Sequence, residues 1–462
     1  MAKAKDTVDI PSLGYTSMSA RWPLIHDLLG GTIAMRNAGE TWLNKETREK
    51  TPAYNSRISR SILFNKFKDT IEKLGEKPFS QSVKLLGDPP EKLKVLETNV
   101  DRTGKSLTTF AKEMLKSAVT YGLTHVLVDF PQMPDDLTVE GEKDFAAQPV
   151  FIHVKPPNLI GWQTTRMLNG QEKLTQIRIA ETKVVQSGTY TEKEQKQIRV
   201  YNEDTWELWI ENEETKEFVM HSDGLHSFGR IPLITFYANR EEYMIGSPPL
   251  EDLAWMNLNH WQSNSDHKNI LRFARLGILW ASGMSDEEAK KVEIGPAAFV
   301  HSANPESDMK YVEHGGKAIE IGRSDLLDIE EKMETASLRP MMKRTGTQTA
   351  TARALDTAES HSSIHSWVNS LEISLRECYI LAAEWTKEDI PEDFKVDIFS
   401  DFGLSMRASQ DIEALIKMRQ TNEITHQTFL AEMKRRDVLN EMLDVDAEVE
   451  DASAELKLVS VE

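Results

Sequence analysis

Pro249-Leu-Glu-Asp-Leu-Ala-Trp-Met-Asn-Leu-Asn-His-Trp-Gln-Ser-Asn-Ser-Asp-His-Lys-Asn-Ile270 changes character midway. The proline pair ending at Pro249 fits only a helix start, and Glu251 and Asp252 suit the positive end of the helix dipole. Leu250, Leu253, Met256 and Trp261 make an apolar stripe, and residues 262–269 then bring eight polar side chains in succession. A helix that is polar all round either bridges domains or packs against copies of itself. At about 1.5 Å per residue, Glu251 to Phe273 spans roughly 35 Å, enough to leave its own domain.

Working outward from this helix, residues 276–321 read as a small β module. Leu276-Gly-Ile-Leu-Trp280, Ala297-Ala-Phe-Val-His301 and Met309-Lys-Tyr-Val-Glu313 are its candidate strands, with Gly295-Pro296 and Gly315-Gly316 as turns. A module this short holds little core, which points to completion by a neighbouring copy. Ser324 or Asp325 then caps a second helix carrying Leu326, Ile329, Met333 and Ala336, and Arg339-Pro340 stops it. The segment that follows, 339–351, has no acid and sets Thr345, Thr347, Thr349 and Thr351 around Gly346.

Towards the N-terminus, Leu107, Phe110, Ala111, Met114, Leu115 and Ala118 recur at helical spacing until Gly122, and His125-Val-Leu-Val-Asp-Phe130 predicts a strand. Strands continue at Val150-Phe-Ile-His-Val154, Gln176-Ile-Arg-Ile-Ala180, Gln197-Ile-Arg-Val-Tyr201, Trp206-Glu-Leu-Trp-Ile210 and Ile231-Pro-Leu-Ile-Thr-Phe-Tyr237. The middle three alternate apolar with polar, so one face meets solvent or a neighbour. Later, residues 350–387 predict a long helix ending near Trp385, residues 394–399 a strand, and residues 409–420 and 425–439 two more helices. Residues 441–462 hold eight acids against the single base Lys457 and read as a solvated tail. The fold class is α+β.

A length of 462 residues suggests roughly three domains, and 39% apolar with 28% charged residues matches a soluble globular chain. No apolar run approaches the ~20 residues that span a bilayer, and Met1-Ala-Lys-Ala-Lys-Asp6 leads into no signal-peptide core, so the expected setting is cytoplasm or a particle assembled there. One cysteine, Cys378, excludes an intramolecular disulfide and a thiol-built zinc site; on its apolar helical face it reads as a small buried hydrophobe.

A net charge of -19 repels phosphate and argues against a broad, tight grip on nucleic acid, while allowing a surface that DNA slides past. Two windows without acids stand out against it. Residues 267–285 carry Lys268, Arg272 and Arg275, and residues 336–355 carry Arg339, Lys343, Arg344 and Arg353.

Enzyme signatures fail on inspection. Gly104-Lys-Ser106 has the tail of a phosphate loop, but Asn99 stands where the leading glycine belongs, and Gly315-Gly-Lys317 runs into Ala318 where a hydroxyl is needed. His361 and His365, behind Glu359, could hold a metal in a nucleic-acid enzyme. No third ligand follows at motif spacing and no glutamate lies between them, so a structural role is the stronger reading. His260 and His267, on the polar helix, read as inter-subunit hydrogen-bonding groups. No catalytic residue, metal or cofactor is expected. A monomeric scaffold or adaptor acting through the acidic tail is the remaining alternative.

Five segments taken in order resemble one family. They are Arg57-Ile-Ser-Arg-Ser-Ile-Leu-Phe-Asn65, Tyr121-Gly-Leu-Thr-His-Val-Leu-Val-Asp-Phe-Pro131, Arg230-Ile-Pro-Leu-Ile-Thr-Phe-Tyr237, residues 247–270, and Thr349-Ala-Thr-Ala-Arg-Ala-Leu-Asp-Thr-Ala-Glu-Ser360. Over residues 55–440 the order resembles the portal, or head-tail connector, proteins of tailed bacteriophages. The resemblance implies a ring, usually of twelve copies, at one capsid vertex of a virion assembled in the bacterial cytoplasm, with double-stranded DNA passing through without sequence readout. It implies a wing at 1–248 with 353–405, stem helices at 249–275 and 322–338, a clip at 276–321, a tunnel loop at 339–352, and a helical crown with acidic tail at 406–462.

The partners so implied are further copies of the chain, the major capsid protein, the terminase large subunit, head-tail adaptors and a scaffold, with no membrane. ATP hydrolysis then belongs to the terminase, in keeping with the missing phosphate loop. Asn264, Asp266, His267, Lys268 and Arg272 fall on the inter-subunit stem surface. Arg339, Lys343, Arg344, Thr345, Thr347, Thr349 and Arg353 fall on the DNA-facing loop, where cations position phosphates without reading sequence.

Overall fold

The structure, a computed structural model, describes residues 7–129, 148–226, 228–276, 278–287, 304–312, 316–338, 363–400, 415–421, 423–435, 439 and 447–449. It divides into one unit of residues 1–76 with 85–396 and another of 77–84 with 397–462. The larger unit mixes helix and sheet. Its N-terminal helices are α1 (Leu13–Ser19), α2 (Trp22–Leu29), α3 (Gly31–Ala38), α4 (Thr51–Arg60), α5 (Lys66–Glu76), α6 (Glu91–Thr98) and α7 (Leu107–Tyr121).

The strands, after a short β1 (Lys84–Leu86), are β2 (Leu123–Asp129), β3 (Val150–Val154), β4 (Leu159–Arg166), β5 (Glu172–Gln186), β6 (Glu192–Asn202), β7 (Thr205–Glu211), β8 (Phe218–Leu225), β9 (Leu233–Tyr237), β10 (Arg240–Glu242) and β11 (Ile245–Gly246). Three long helices follow: Glu251–Leu276, Gly316–Leu338 and Ser363–Thr386. The antiparallel strands β12 (Ile278–Ser282) and β13 (Asp308–Val312) lie between the first two, and β14 (Lys395–Asp397) comes after the third.

The core forms where α7 and the helix Ser363–Thr386 pack on a three-stranded antiparallel sheet of order β3-β2-β9. The α7 stripe read from sequence is buried as expected, with Ser106 accepting from Thr109 N–H at the N-cap and Gly122 ending the helix at φ 95°. Gly122 meets a second requirement. A Cβ there would stand 2.4 Å from the Ser247 carbonyl oxygen, so only glycine lets the two backbones cross. Phe151 on β3 carries the packing outward, its ring 6.2 Å from Phe110 and 5.5 Å from Tyr379. Cys378 is buried in this core, and burial pushes its thiol pKa up, leaving a small hydrophobe in place of a nucleophile.

A five-stranded antiparallel meander, β4-β5-β6-β7-β8, stands beside this sheet. The sequence reading placed its three central strands and missed the outer two. Gly161 in β4 and Gly224 in β8 look like turn residues. In the sheet, a Cβ on Gly224 would lie 2.7 Å from the Trp206 indole nitrogen, so the glycine makes room for a large ring on the next strand. Near residues 394–399 the strand is shorter than expected, only Lys395–Asp397. The smaller unit includes helical residues 415–420 and the helix His426–Arg435, which buries Leu430 and Met433 and is entered at Thr425, whose hydroxyl accepts from Thr428 N–H at 3.1 Å. The acidic tail lies almost entirely outside the described residues.

Two histidines of the three-stranded sheet, His125 buried and His153 half-buried, lie against threonine hydroxyls, His153 within 2.8 Å of Thr124 Oγ1 and His125 within 3.0 Å of Thr235 Oγ1. Burial pushes His125 down to about 3 and His153 down to about 4, with neighbouring positive charge adding to the latter. Between those values and the ordinary 6.5, the unfolded chain binds protons that the folded chain refuses, so stability falls as pH falls through that window. Each ring contributes a slope of at most about 1.4 kcal/mol per pH unit. Urea unfolding of His153→Gln measured between pH 4 and 6.5 should show a shallower pH dependence than the parent.

Candidate functional site

The first two long helices run antiparallel. His260 Nε2 meets Glu330 Oε1 at 3.0 Å, and two turns further along His267 lies against Gly322. The strands β12 and β13, paired from Ile278 opposite Val312 to Ser282 opposite Asp308, belong to the segment that connects them. The second helix begins at Gly316, ahead of the expected cap at Ser324 or Asp325 and of the stem boundary at 322; both capping candidates sit inside it and are exposed. Gly316, expected within a turn, opens the helix, and a Cβ at 322 would sit 2.8 Å from His267 Nδ1, so Gly322 permits the close approach of the helices. The third candidate strand, 297–301, lies outside the described residues.

The polar run 262–269 is only partly left for other molecules. Its helix presents Asn257, Trp261 and Ser265 at i, i+4 and i+8 to the N-terminal helices, and all three are buried. Asn257 Oδ1 accepts from Phe67 N–H at 2.9 Å while its amide donates to the Phe64 carbonyl at 2.8 Å, capping α5 from a neighbouring helix. Gln262 donates to the Trp42 carbonyl at 2.6 Å, and the Ser265 and Ser61 hydroxyls lie 2.8 Å apart. Gln262 and Ser265 of the run are thus engaged within the chain, so packing against copies of itself does not account for the whole run. His260 also differs from expectation. It is buried beside Phe64, and its bond to Glu330 is made within the chain.

Arg57 of α4 holds this junction. Its Nε and Nη2 donate to Glu49 at 3.0 and 2.8 Å, Nη2 also to the Asn44 carbonyl at 2.7 Å, and Nη1 to Asp266 at 3.3 Å. The guanidinium also lies 5.5 Å from the Tyr54 ring centre. The hydrogen bonds from Arg57 hold the Glu49 carboxyl below its ordinary pKa. Composition and spacing gave no sign of this role, because nothing in residues 44–60 marks one arginine as 4% exposed.

Beyond Arg57 a cleft of about 590 Å³ opens, lined by Arg57, Arg60, Ser61, Lys268, Arg272 and Arg275 among others. Lys268, Arg272 and Arg275 are exposed. Of the residues expected on the stem surface, Asp266 is engaged by Arg57 and His267 faces Gly322, both within the chain; Asn264 is half-buried, and Lys268 and Arg272 point outward into the cleft rim. Arg339, Lys343, Arg344, Thr345, Thr347, Thr349 and Arg353 lie outside the described residues, as does His361. His365 is half-buried on the helix Ser363–Thr386. Among the described residues no group of three His, Cys, Asp or Glu side chains could hold a metal ion. The phosphate-loop look-alike is local structure: Ser106 caps α7 and Lys105 pairs with Glu113 at 2.9 Å. No described helix is long and apolar enough to cross a membrane.

A family model described as a domain of unknown function, DUF4055, matches residues 249–386, the span of the three long helices. No curated protein matches the chain. Solved structures align loosely. A chain of the virion of a native gene transfer agent (GTA) particle aligns at 10% identity over 87% of this chain and 92% of that one, with a TM-score of 0.44. A chain of the neck of an empty GTA particle computed with C6 symmetry gives 10% over 75% and 84%, TM-score 0.42. One from the neck of the native particle computed with C12 symmetry gives 9% over 87% and 98%, TM-score 0.42. Values this low do not establish a shared fold.

Removing the Arg57 guanidinium strands Glu49 in a nearly buried site, which in comparable buried pairs costs about 3–5 kcal/mol. Arg57→Ala should therefore lower the urea midpoint sharply, and Glu49→Gln, which keeps the shape and one acceptor, should lower it less.

Proposed function

We propose that this chain is one subunit of a portal-type ring, dodecameric by the family resemblance, that sits at a capsid vertex and conducts double-stranded DNA during packaging and ejection. The observation that carries the reading is the antiparallel helix pair, Glu251–Leu276 with Gly316–Leu338, joined through a segment that carries a two-stranded β element. Helices of 26 and 23 residues extend roughly 39 and 35 Å at about 1.5 Å per residue, long enough to line a channel wall. Five quoted segments in portal order support the same reading from sequence.

In this reading the helix pair is the stem and the β element is the clip, which would dock terminase and then head-tail adaptors. The segment after Leu338 is the loop that touches DNA. The role is structural, with ATP hydrolysis supplied by the terminase. Lys343 and Arg344 act as weak, sequence-blind phosphate contacts, and the threonines keep the loop tip uncharged. A net charge of -19 keeps the rest of the ring from gripping DNA.

Negative-stain micrographs of the purified chain should show closed rings, and a strictly monomeric species at micromolar concentration would overturn the proposal. Lys343→Gln with Arg344→Gln should leave ring formation intact and impair DNA packaging or retention in particles; unchanged packaging would remove the loop from the account.

A further inference from the structure

Lys268, Arg272 and Arg275 stand at i, i+4 and i+7 on the first long helix, so one exposed stripe carries three cations, and Arg60 of α4 closes the same cleft. None of the four makes an ion pair among the described residues. Like charges at this spacing repel along a helix. The negative end of the dipole accommodates Arg275 in the last turn, but its influence fades before Lys268, two turns back.

The second long helix shows the opposite pattern. Glu320, Ser324, Asp325 and Asp328 fall on one face by spacing and are all exposed, with Ile321 beside them 70% exposed. Its flanking acids are taken within the chain, Glu330 by His260 and Glu334 by Lys66. Glu320, Asp325 and Asp328 have no ion pair among the described residues. One helix pair therefore presents an unmet cationic stripe and an unmet acidic stripe, and the chain does not join them to each other.

The two stripes overlap in height at one pair. Because His267 packs against Gly322 in the antiparallel pair, Lys268 stands within about one residue of the level of Glu320, while Arg272 and Asp325 lie about five and three residues to opposite sides of that contact. In a ring whose axis follows the helices, every copy occupies the same height, so rotation alone carries one copy's Lys268 to the level of the next copy's Glu320, with Arg272 and Asp325 extending the two stripes beyond it. We propose that the Lys268–Arg272 stripe of each subunit docks on the Glu320–Asp325 stripe of its neighbour, a head-to-tail contact that closes the ring through exchanged charge. This rests on the ring reading above and specifies which surfaces meet.

The test uses the full chain in two charge-reversed forms, Lys268→Glu with Arg272→Glu and Glu320→Lys with Asp325→Lys, and a third form carrying all four changes. Sedimentation velocity with electron microscopy reads the ring-to-monomer ratio, and circular dichroism confirms folding. Each two-residue reversal should lower that ratio by about tenfold or more, and the fourfold form should recover rings, since every contact is restored with its signs exchanged. If the parent forms rings and both reversals assemble as well as it does, or if a folded fourfold form fails to recover, the pairing is wrong while the ring stands. Rings that form undiminished from the Lys268/Arg272 reversal but lose bound DNA would assign the stripe to phosphate and also overturn the pairing. A parent that never assembles would overturn both readings.

Discussion

Arg57 brings one guanidinium to Glu49, the Asn44 carbonyl and Asp266 together, and the junction between the N-terminal helices and the first long helix depends on that convergence. A buried arginine without partners is expensive, and a polar helix laid on a helical layer leaves donors and acceptors to satisfy. Here the two demands answer each other. Arg57 receives its acids, while Asn257, Gln262 and Ser265 find backbone or hydroxyl partners on the same layer. Specific polar pairing of this kind fixes register in a way that an apolar seam, tolerant of sliding, does not.

The first long helix thereby divides its polar side chains between two tasks. The half near Asn257 to Asp266 is spent inside the chain, and the last two turns turn a cationic stripe outward. In the proposed ring this division is useful: a subunit that satisfies its own junction folds before assembly, and the charge it leaves unmet is what distinguishes an assembled from a free chain. DNA contact is then confined to the segment after Leu338, and the acidic remainder of the molecule supplies weak repulsion along the path.

The sequence is most legible where one physical demand dominates. The α7 stripe from Leu107 to Ala118, the buried strand after Gly122 and the central strands of the meander each follow a single hydrophobic period and were placed from it. Legibility fails where two demands meet at one residue. Gly224 and Gly322 look like breakers locally and serve as clearances for Trp206 and His267, contacts between segments far apart in the chain. Arg57 and Asn257 are missed for the same reason: their roles rest on Glu49, Phe64 and Phe67, and no periodicity links those positions. His260 looked like a group offered to another subunit because a polar neighbourhood reads as exposed until the covering helices are known.

Gly122 and Ser247 cross so closely that no side chain fits between their backbones. The residue just before the proline pair is therefore fixed by this backbone crossing together with its own hydroxyl, which accepts from the Asn239 amide at 2.9 Å, and the direction in which the long helix departs is set at the end of α7. Lineages descending from such a chain are free to rewrite those surface side chains of that helix that meet no partner while its launch angle stays constant. Persistence of trajectory is the expected evolutionary signature, and drift should stall at the glycines of the crossing, Gly122 and Gly246, where an added Cβ would stand 2.4 Å from the Ser247 carbonyl oxygen and 2.9 Å from the Asn239 carbonyl oxygen.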